Sequence, residues 1–284
     1  MSTQVPALFA RLVDDAAVFP PGSAPLSDAV TAHAEHRVAW YADLVGPLLV
    51  PTSELGEVPG HPAADAVGEV GVVADTGLDG LIAGVDSQRD RLRIRQIEFA
   101  VAKRGEDPQP GLRELLTLLE RWPSLLGYAE IPLTWGLLGA LDTVAEARRD
   151  GARIAPKFRT GGLAAELFPT PVELAAVICA CRDRDLPFKL TAGLHHAIRH
   201  TDPETGFTHH GFLNVLVAAA EAADGAEAAE VAEVLAGTDP MPLIQAARRR
   251  LDQERPLWIG FGTCSIPEPL DDLQRLGLLN GAPA

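Results

Sequence analysis

At 284 residues the chain is long enough to bury most of its surface around one core, and its length suits an α/β barrel of roughly 250 residues. Its formal charge of −15 excludes a nucleic-acid groove, which needs concentrated Lys and Arg, and leaves a small-molecule substrate as the expected partner. The three cysteines, Cys179, Cys181 and Cys264, are too few for a disulfide framework, and the C-x-C spacing of the first two fits neither a redox nor a zinc motif.

The opening MSTQVPALFARLVDD has no basic stretch leading into an apolar run, so no secretory leader is expected. No stretch reaches 18 uninterrupted apolar residues, so no membrane partner is expected and the location should be cytoplasmic. Residues 1–43, with Val18-Phe19-Pro20-Pro21-Gly22, read as an N-terminal arm or helix packed across one barrel end. Residues 44–284 read as the barrel itself, the whole 1–284 forming a single domain; a homo-oligomer is left open.

Short apolar runs alternate with amphipathic ones, the pattern of βαβ units on a parallel sheet. Strands are predicted at Leu44 to Val50, Val70 to Ala74, Ile94 to Val101, Leu125 to Ile131, Arg153 to Phe158, Pro187 to Thr191 and Leu257 to Phe261. Between them, Leu112, Leu115, Leu116 and Leu119 make one helical stripe. Thr170-Pro171-Val172-Glu173 reads as a capping box with proline at the first helical position. Leu270, Leu273 and Leu276 mark a last helix, stopped by Gly277. An eighth strand is expected between Gly206 and Arg255, although that stretch looks helical throughout. The fold class is therefore α/β, a (β/α)8 TIM-type barrel. A doubly wound sheet is the runner-up, weakened because no G-x-G-x-x-G follows the first strand.

Barrel chemistry sits at the C-terminal ends of strands. The basic residues number 24, yet only Lys103, Lys157 and Lys189 are lysines, and the last two fall on predicted strands. An ammonium can lose its proton where a guanidinium cannot, so scarce lysines at strand ends are candidates for work that needs an amine. Glu98 and Glu130 also lie in apolar strands, where an ionised carboxylate requires a partner. Coupling among these groups is expected to hold a lysine at a depressed pKa, ready as nucleophile or base, against the plainer reading of two structural ion pairs.

The turns Thr160-Gly161-Gly162 and Gly262-Thr263-Cys264-Ser265 offer backbone N–H groups and hydroxyls for an anion. Arg159 stands beside the first, and Arg199 and His196 are further anion-binding candidates. Five of the eight histidines, His195, His196, His200, His209 and His210, fall in one short stretch. His195 is the catalytic candidate among them. Neighbouring side chains on a strand point to opposite faces, so no metal is the first expectation. The alternative is a divalent metal held by His195, His209 or His210 with Glu98 or Glu130.

The order K-x-x-T-G at Lys157, F-K-x-x-x-G at Lys189 and G-x-x-S at Gly262 resembles the deoxyribose-phosphate aldolase-like class I aldolases, over Lys157 to Ser265. That resemblance implies a Schiff-base lysine at Lys157, a perturbing lysine at Lys189, an acid at Glu98, a phosphate turn at Gly262 to Ser265, and no cofactor. Arg159 inside the first motif and Leu194-His195-His196 after the second depart from that pattern. The whole chain also resembles a bacterial (β/α)-barrel family without an assigned activity, through DDAAVFPPG and FGTCSIPEPLDDLQRLGLL. Three functions follow. The first is a Schiff-base carbon–carbon lyase for a small anionic carbonyl or sugar-phosphate-like compound. The second is a metal-dependent lyase, isomerase or hydrolase, and the third a non-catalytic small-molecule-binding barrel.

Overall fold

Runs in which inward and outward side chains alternate become the eight parallel strands of a closed barrel in the computed structural model, which describes residues 5–281. Met1 to Gln4, the start of the segment read for a leader, and residues 282–284 lie outside the described residues. The barrel strands are β1 (Val13–Asp15), β2 (Val45–Pro51), β3 (Glu69–Val73), β4 (Arg93–Ala100), β5 (Leu126–Glu130), β6 (Ile154–Arg159) and β7 (Phe188–Thr191). A small hairpin of β8 (His200–Thr201) and β9 (Thr208–His209) comes next, and β10 (Trp258–Thr263) then closes the ring against β1.

The helices are α1 (Leu26–Val38), α2 (Ala64–Val67), α3 (Gly77–Gln88), α4 (Gln109–Arg121), α5 (Leu137–Arg149) and α6 (Pro171–Arg182), then α7 (Phe212–Ala223), α8 (Ala228–Ala236), α9 (Pro240–Arg248) and α10 (Pro267–Arg275). The main core is the layer between helices and barrel. Ile97, Ala129, Phe158, Leu190 and Phe261 are fully buried there on successive strands. The α4 stripe buries Leu112, Leu115 and Leu119 as expected, with Leu118 in place of the half-buried Leu116. At the start of α6, Thr170 Oγ1 accepts from the Glu173 N–H while Glu173 returns a bond to the Thr170 N–H, so the capping box is complete.

One strand lies elsewhere than expected. The stretch Gly206 to Arg255 carries α7, α8 and α9 and no barrel strand, and the missing strand is β1, inside the segment read as an arm. A three-residue strand is too short to show an alternating pattern. What fixes it is pairing on both sides, Val13 opposite Val45 and opposite Phe261. The barrel therefore starts at Val13, not Leu44. Among the described residues, no helix is long and apolar enough to cross a membrane.

Candidate functional site

Because side chains alternate along each strand, the faces opposite the apolar layer converge on the barrel axis. Those faces carry charge. Lys157 on β6 and Lys189 on β7 are directly opposed in register, and Glu130 on β5 is opposed to Lys157. Lys157 Nζ lies 2.6 Å from Glu98 Oε2 and 2.8 Å from Glu130 Oε2. Lys189 Nζ lies 2.6 Å from Glu98 Oε1 and also pairs with Asp14 on β1. Gln96 Nε2 donates to Asp14 Oδ2 at 2.8 Å and to Glu98 Oε1 at 3.1 Å. The Lys189 ammonium stands 4.8 Å from the centre of the Tyr128 ring, a cation–π contact. At the rim, Arg159 Nε donates to Glu130 Oε1 at 3.1 Å. Three carboxylates thus meet three cations, and the set is neutral.

Burial is the largest influence on Glu98, Glu130, Lys157 and Lys189, and it disfavours the charge on each. The partners overturn it. Burial pushes Glu98 up, but the Lys157 and Lys189 ammonium ions together hold it at about 2. Burial likewise opposes the charge on Glu130, which Lys157 and then Arg159 still bring below the usual range. Burial alone would lower both lysines, yet Glu130 and Glu98 leave Lys157 raised, and Asp14 and Glu98 do the same for Lys189. The depressed lysine expected from sequence is therefore not what the resting barrel holds, because each ammonium faces two carboxylates and only one other ammonium.

Glu130 and Arg159 open onto a cavity of ≈ 160 Å³ at the C-terminal rim, lined also by Arg104, Leu133 and Glu173. Lys157 sits just behind Glu130, 3% exposed. The turns proposed for an anion are largely engaged in the fold. Thr160 is fully buried and donates its hydroxyl to the Ala192 carbonyl at 2.7 Å. Gly161 lies against Gly193, so that a Cβ there would stand 2.8 Å from the Gly193 Cα, and Gly162 would meet Leu167 in the same way. Thr263 Oγ1 accepts from the Ser265 N–H at 3.4 Å, and Ser265 Oγ accepts from the Glu268 N–H at 3.3 Å. Gly262 faces Leu49, Ala16 and Thr191 inside the barrel.

Four of the five histidines line one cavity, and His210 stands apart from it. His210 is buried, donates Nε2–H to the Pro169 carbonyl at 2.8 Å and accepts from Arg199 at 3.2 Å. Burial and the neighbouring guanidinium bring it down to about 4, so it is neutral. Arg199 is thereby turned towards His210 and lines neither cavity described here. His209 Nδ1 donates to the Gly193 carbonyl at 3.1 Å, His195 pairs with Glu268 at 2.9 Å, and His196 with Asp272 at 3.3 Å. Among the described residues, no group of three or more His, Cys, Asp or Glu side chains is placed to hold a metal. His195, His196, His200 and His209 line a second cavity of ≈ 550 Å³, the His200 ring 4.7 Å from His196 and 5.2 Å from His209, so His195 is not part of the lysine cluster.

Sequence reasoning missed Asp14, Gln96 and Tyr128. For Asp14 the signal was present, since Leu12-Val13-Asp14-Asp15-Ala16-Ala17-Val18 embeds acids in an apolar run much as IEFAV embeds Glu98. The two acids of β1 face opposite ways. Asp14 turns inward to Lys189, and Asp15 outward to His33 on α1, with Nδ1 and Oδ2 2.9 Å apart and both residues buried.

A closed (β/α)8 barrel whose axis holds ionisable groups defines a TIM-type architecture compatible with an enzyme. No protein-family model matches the chain, and no curated protein matches its sequence. Among solved structures, a mutant of xylanase A from P fluorescens subsp. cellulosa in complex with xylopentaose is similar at a TM-score of 0.42 and 10% identity. The match covers 89% of this chain and 86% of that one.

Proposed function

We propose that the protein is a Schiff-base carbon–carbon lyase acting on a small anionic carbonyl compound, with Lys157 as the nucleophile and no cofactor. The observation that carries this reading is the pair of register-opposed lysines bridged by Glu98, with only Lys157 also touching a carboxylate that opens to the rim cavity. Lys189 lies deeper, held by Asp14 and Glu98. It fixes Glu98 and keeps a second positive charge near Lys157.

A protonated Lys157 must first give up a proton, and Glu130 is the acceptor in contact with it. Arg159, with its side chain 44% exposed, holds the other oxygen of that carboxylate. An anionic group on the substrate competes for this guanidinium and so makes Glu130 the stronger base at the moment of binding. The freed amine adds to the carbonyl carbon and the carbonyl oxygen leaves as water. The iminium then carries the single positive charge the ammonium carried before, and no net proton is exchanged with solvent. An iminium withdraws electrons from the bond one carbon away, which is what carbon–carbon cleavage or proton removal at that carbon requires. The resemblance to the deoxyribose-phosphate aldolase-like enzymes assigns Lys157 and Lys189 the same parts, and gives Glu98 the acid's part that Glu130 takes in this reading.

Borohydride added with small aldehydes or ketones that carry a phosphate or carboxylate should fix an adduct on Lys157, located by peptide mass analysis. Lys157→Met should abolish it. If no adduct forms with any such compound, and Lys157→Met is only a more stable protein, the cluster is structural and the chain is the non-catalytic barrel.

A further inference from the structure

The second cavity has chemistry of its own, on the opposite side of the rim from Glu130 and Arg159. It lies where β10, β7 and the N-terminal segment meet, lined by Gly22, His195, His200, Cys264 and Glu268 among others, with a volume of ≈ 550 Å³. Cys264 follows the last residue of β10 and precedes α10. It is the partly exposed one of three free thiols, while Cys179 and Cys181 are buried in α6 and burial pushes both thiols up. The Pro20-Pro21-Gly22 segment runs across it so closely that a Cβ on residue 22 would stand 2.8 Å from the Cys264 Cβ. Glycine at that position is what leaves room beside the thiol.

The side chains of Cys264, His195 and Glu268 line this cavity together, and His195 is hydrogen-bonded to Glu268. Nδ1 is engaged by Glu268 Oε2 at 2.9 Å, which leaves Nε2 for the thiol. A carboxylate on one imidazole nitrogen and a nucleophile on the other is the arrangement by which hydrolases and acyltransferases activate a thiol. These groups come from three separate places, the end of β10, the loop after β7 and the first turn of α10. Only the closed barrel brings them together. The neighbouring Cys264 side chain, followed by the opposing effect of burial and then the bond to Glu268, raises His195 to about 9.

We propose that Cys264, His195 and Glu268 form a second reactive centre, in which the Cys264 sulfur attacks the carbonyl carbon of a small acyl compound presented as an ester or thioester. The sulfur–carbon bond forms as the bond from that carbon to the leaving oxygen or sulfur breaks. His195, holding the proton taken from Cys264, returns it to the leaving group. Water, deprotonated by the neutral imidazole, then cleaves the thioester and regenerates the thiol. Glu268 orients the ring and touches no substrate, so its part is positioning. This centre is independent of the Schiff-base reading, since none of its three residues contacts the lysine cluster.

p-Nitrophenyl acetate tests it on the full-length protein. A burst of about one equivalent of p-nitrophenolate per chain is expected, with the acetyl group mapped to Cys264 by peptide mass analysis. Cys264→Ser should lose the burst. His195→Gln should slow it about 100-fold, the scale of general acid–base assistance. Glu268, with its side chain 45% exposed, can be changed with little risk to folding, so Glu268→Gln gives a second reading, with a loss of about tenfold. Acetylation elsewhere, no acetylation at all, or a burst as fast in Glu268→Gln as in the unchanged protein would each overturn the proposal.

Discussion

Two neighbours on β4, Ile97 and Glu98, are equally hidden from solvent and are held by opposite physics. Ile97 is fully buried in the apolar layer beneath the helices. Its contribution is non-directional, so a residue of similar volume would serve. Glu98, 2% exposed, points to the barrel axis and meets Lys157 and Lys189, each 2.6 Å away. Its place depends on geometry and on charges supplied by β6 and β7. The difference teaches that burial in a barrel has two meanings, according to which side of the strand a residue takes. An apolar outer face holds the fold together, and an inner face can then carry charges that must cancel one another.

The largest test of that contrast is Glu98→Leu. It takes one of two carboxylate partners from each of two buried ammonium ions and should cost about 3–5 kcal/mol in urea unfolding, the usual result of breaking a buried ion pair from one side. A loss under about 1 kcal/mol would mean that Asp14 and Glu130 suffice, and the two faces would not differ as argued.

Acid provides the second test. Because the folded state holds Glu98 at about 2, below its ordinary value of 4.5, its contribution is present above pH 4.5 and is lost as the pH falls towards 2. Integrated, this is on the order of 3 kcal/mol. Urea titrations across that window should show the decline in the unchanged protein and a shallower one in Glu98→Gln. Parallel curves would count against the ion pairs. Both lysines are raised, so their contributions run the other way, present at neutral pH and lost only at strongly alkaline pH.

On the outer face the effects should be smaller. Ile97→Val removes one methylene group from the apolar layer and should cost about 1 kcal/mol, with no change in acid sensitivity. Thr170→Ala, which removes the cap of α6, should cost about 1 kcal/mol or slightly less, visible as a lowered thermal midpoint. If either variant altered the acid response, the outer layer and the inner cluster would not be separable.

The sequence alone determined most of what depends on local pattern. Seven strands, the capping box at Thr170 and the helical character of Gly206 to Arg255 could all be read, because each is set by side-chain period or by residues three or four apart. Lys157, Lys189, Glu98 and Glu130 could be singled out because charge in an apolar strand is conspicuous. Tertiary structure alone decided what depends on closing the ring. Val13–Asp15 becomes a strand only because β2 and β10 pair with it from either side. Asp14 thereby reaches Lys189 across most of the chain's length, and with Glu98 and Glu130 it raises the lysines where the sequence suggested the reverse. The same closure sets four of the five clustered histidines around one cavity, turns His210 to the Pro169 carbonyl, and brings His195 into one lining with Cys264 and Glu268. Periodicity is a property of neighbours along the chain, whereas the sign of a pKa shift is a sum over neighbours in space.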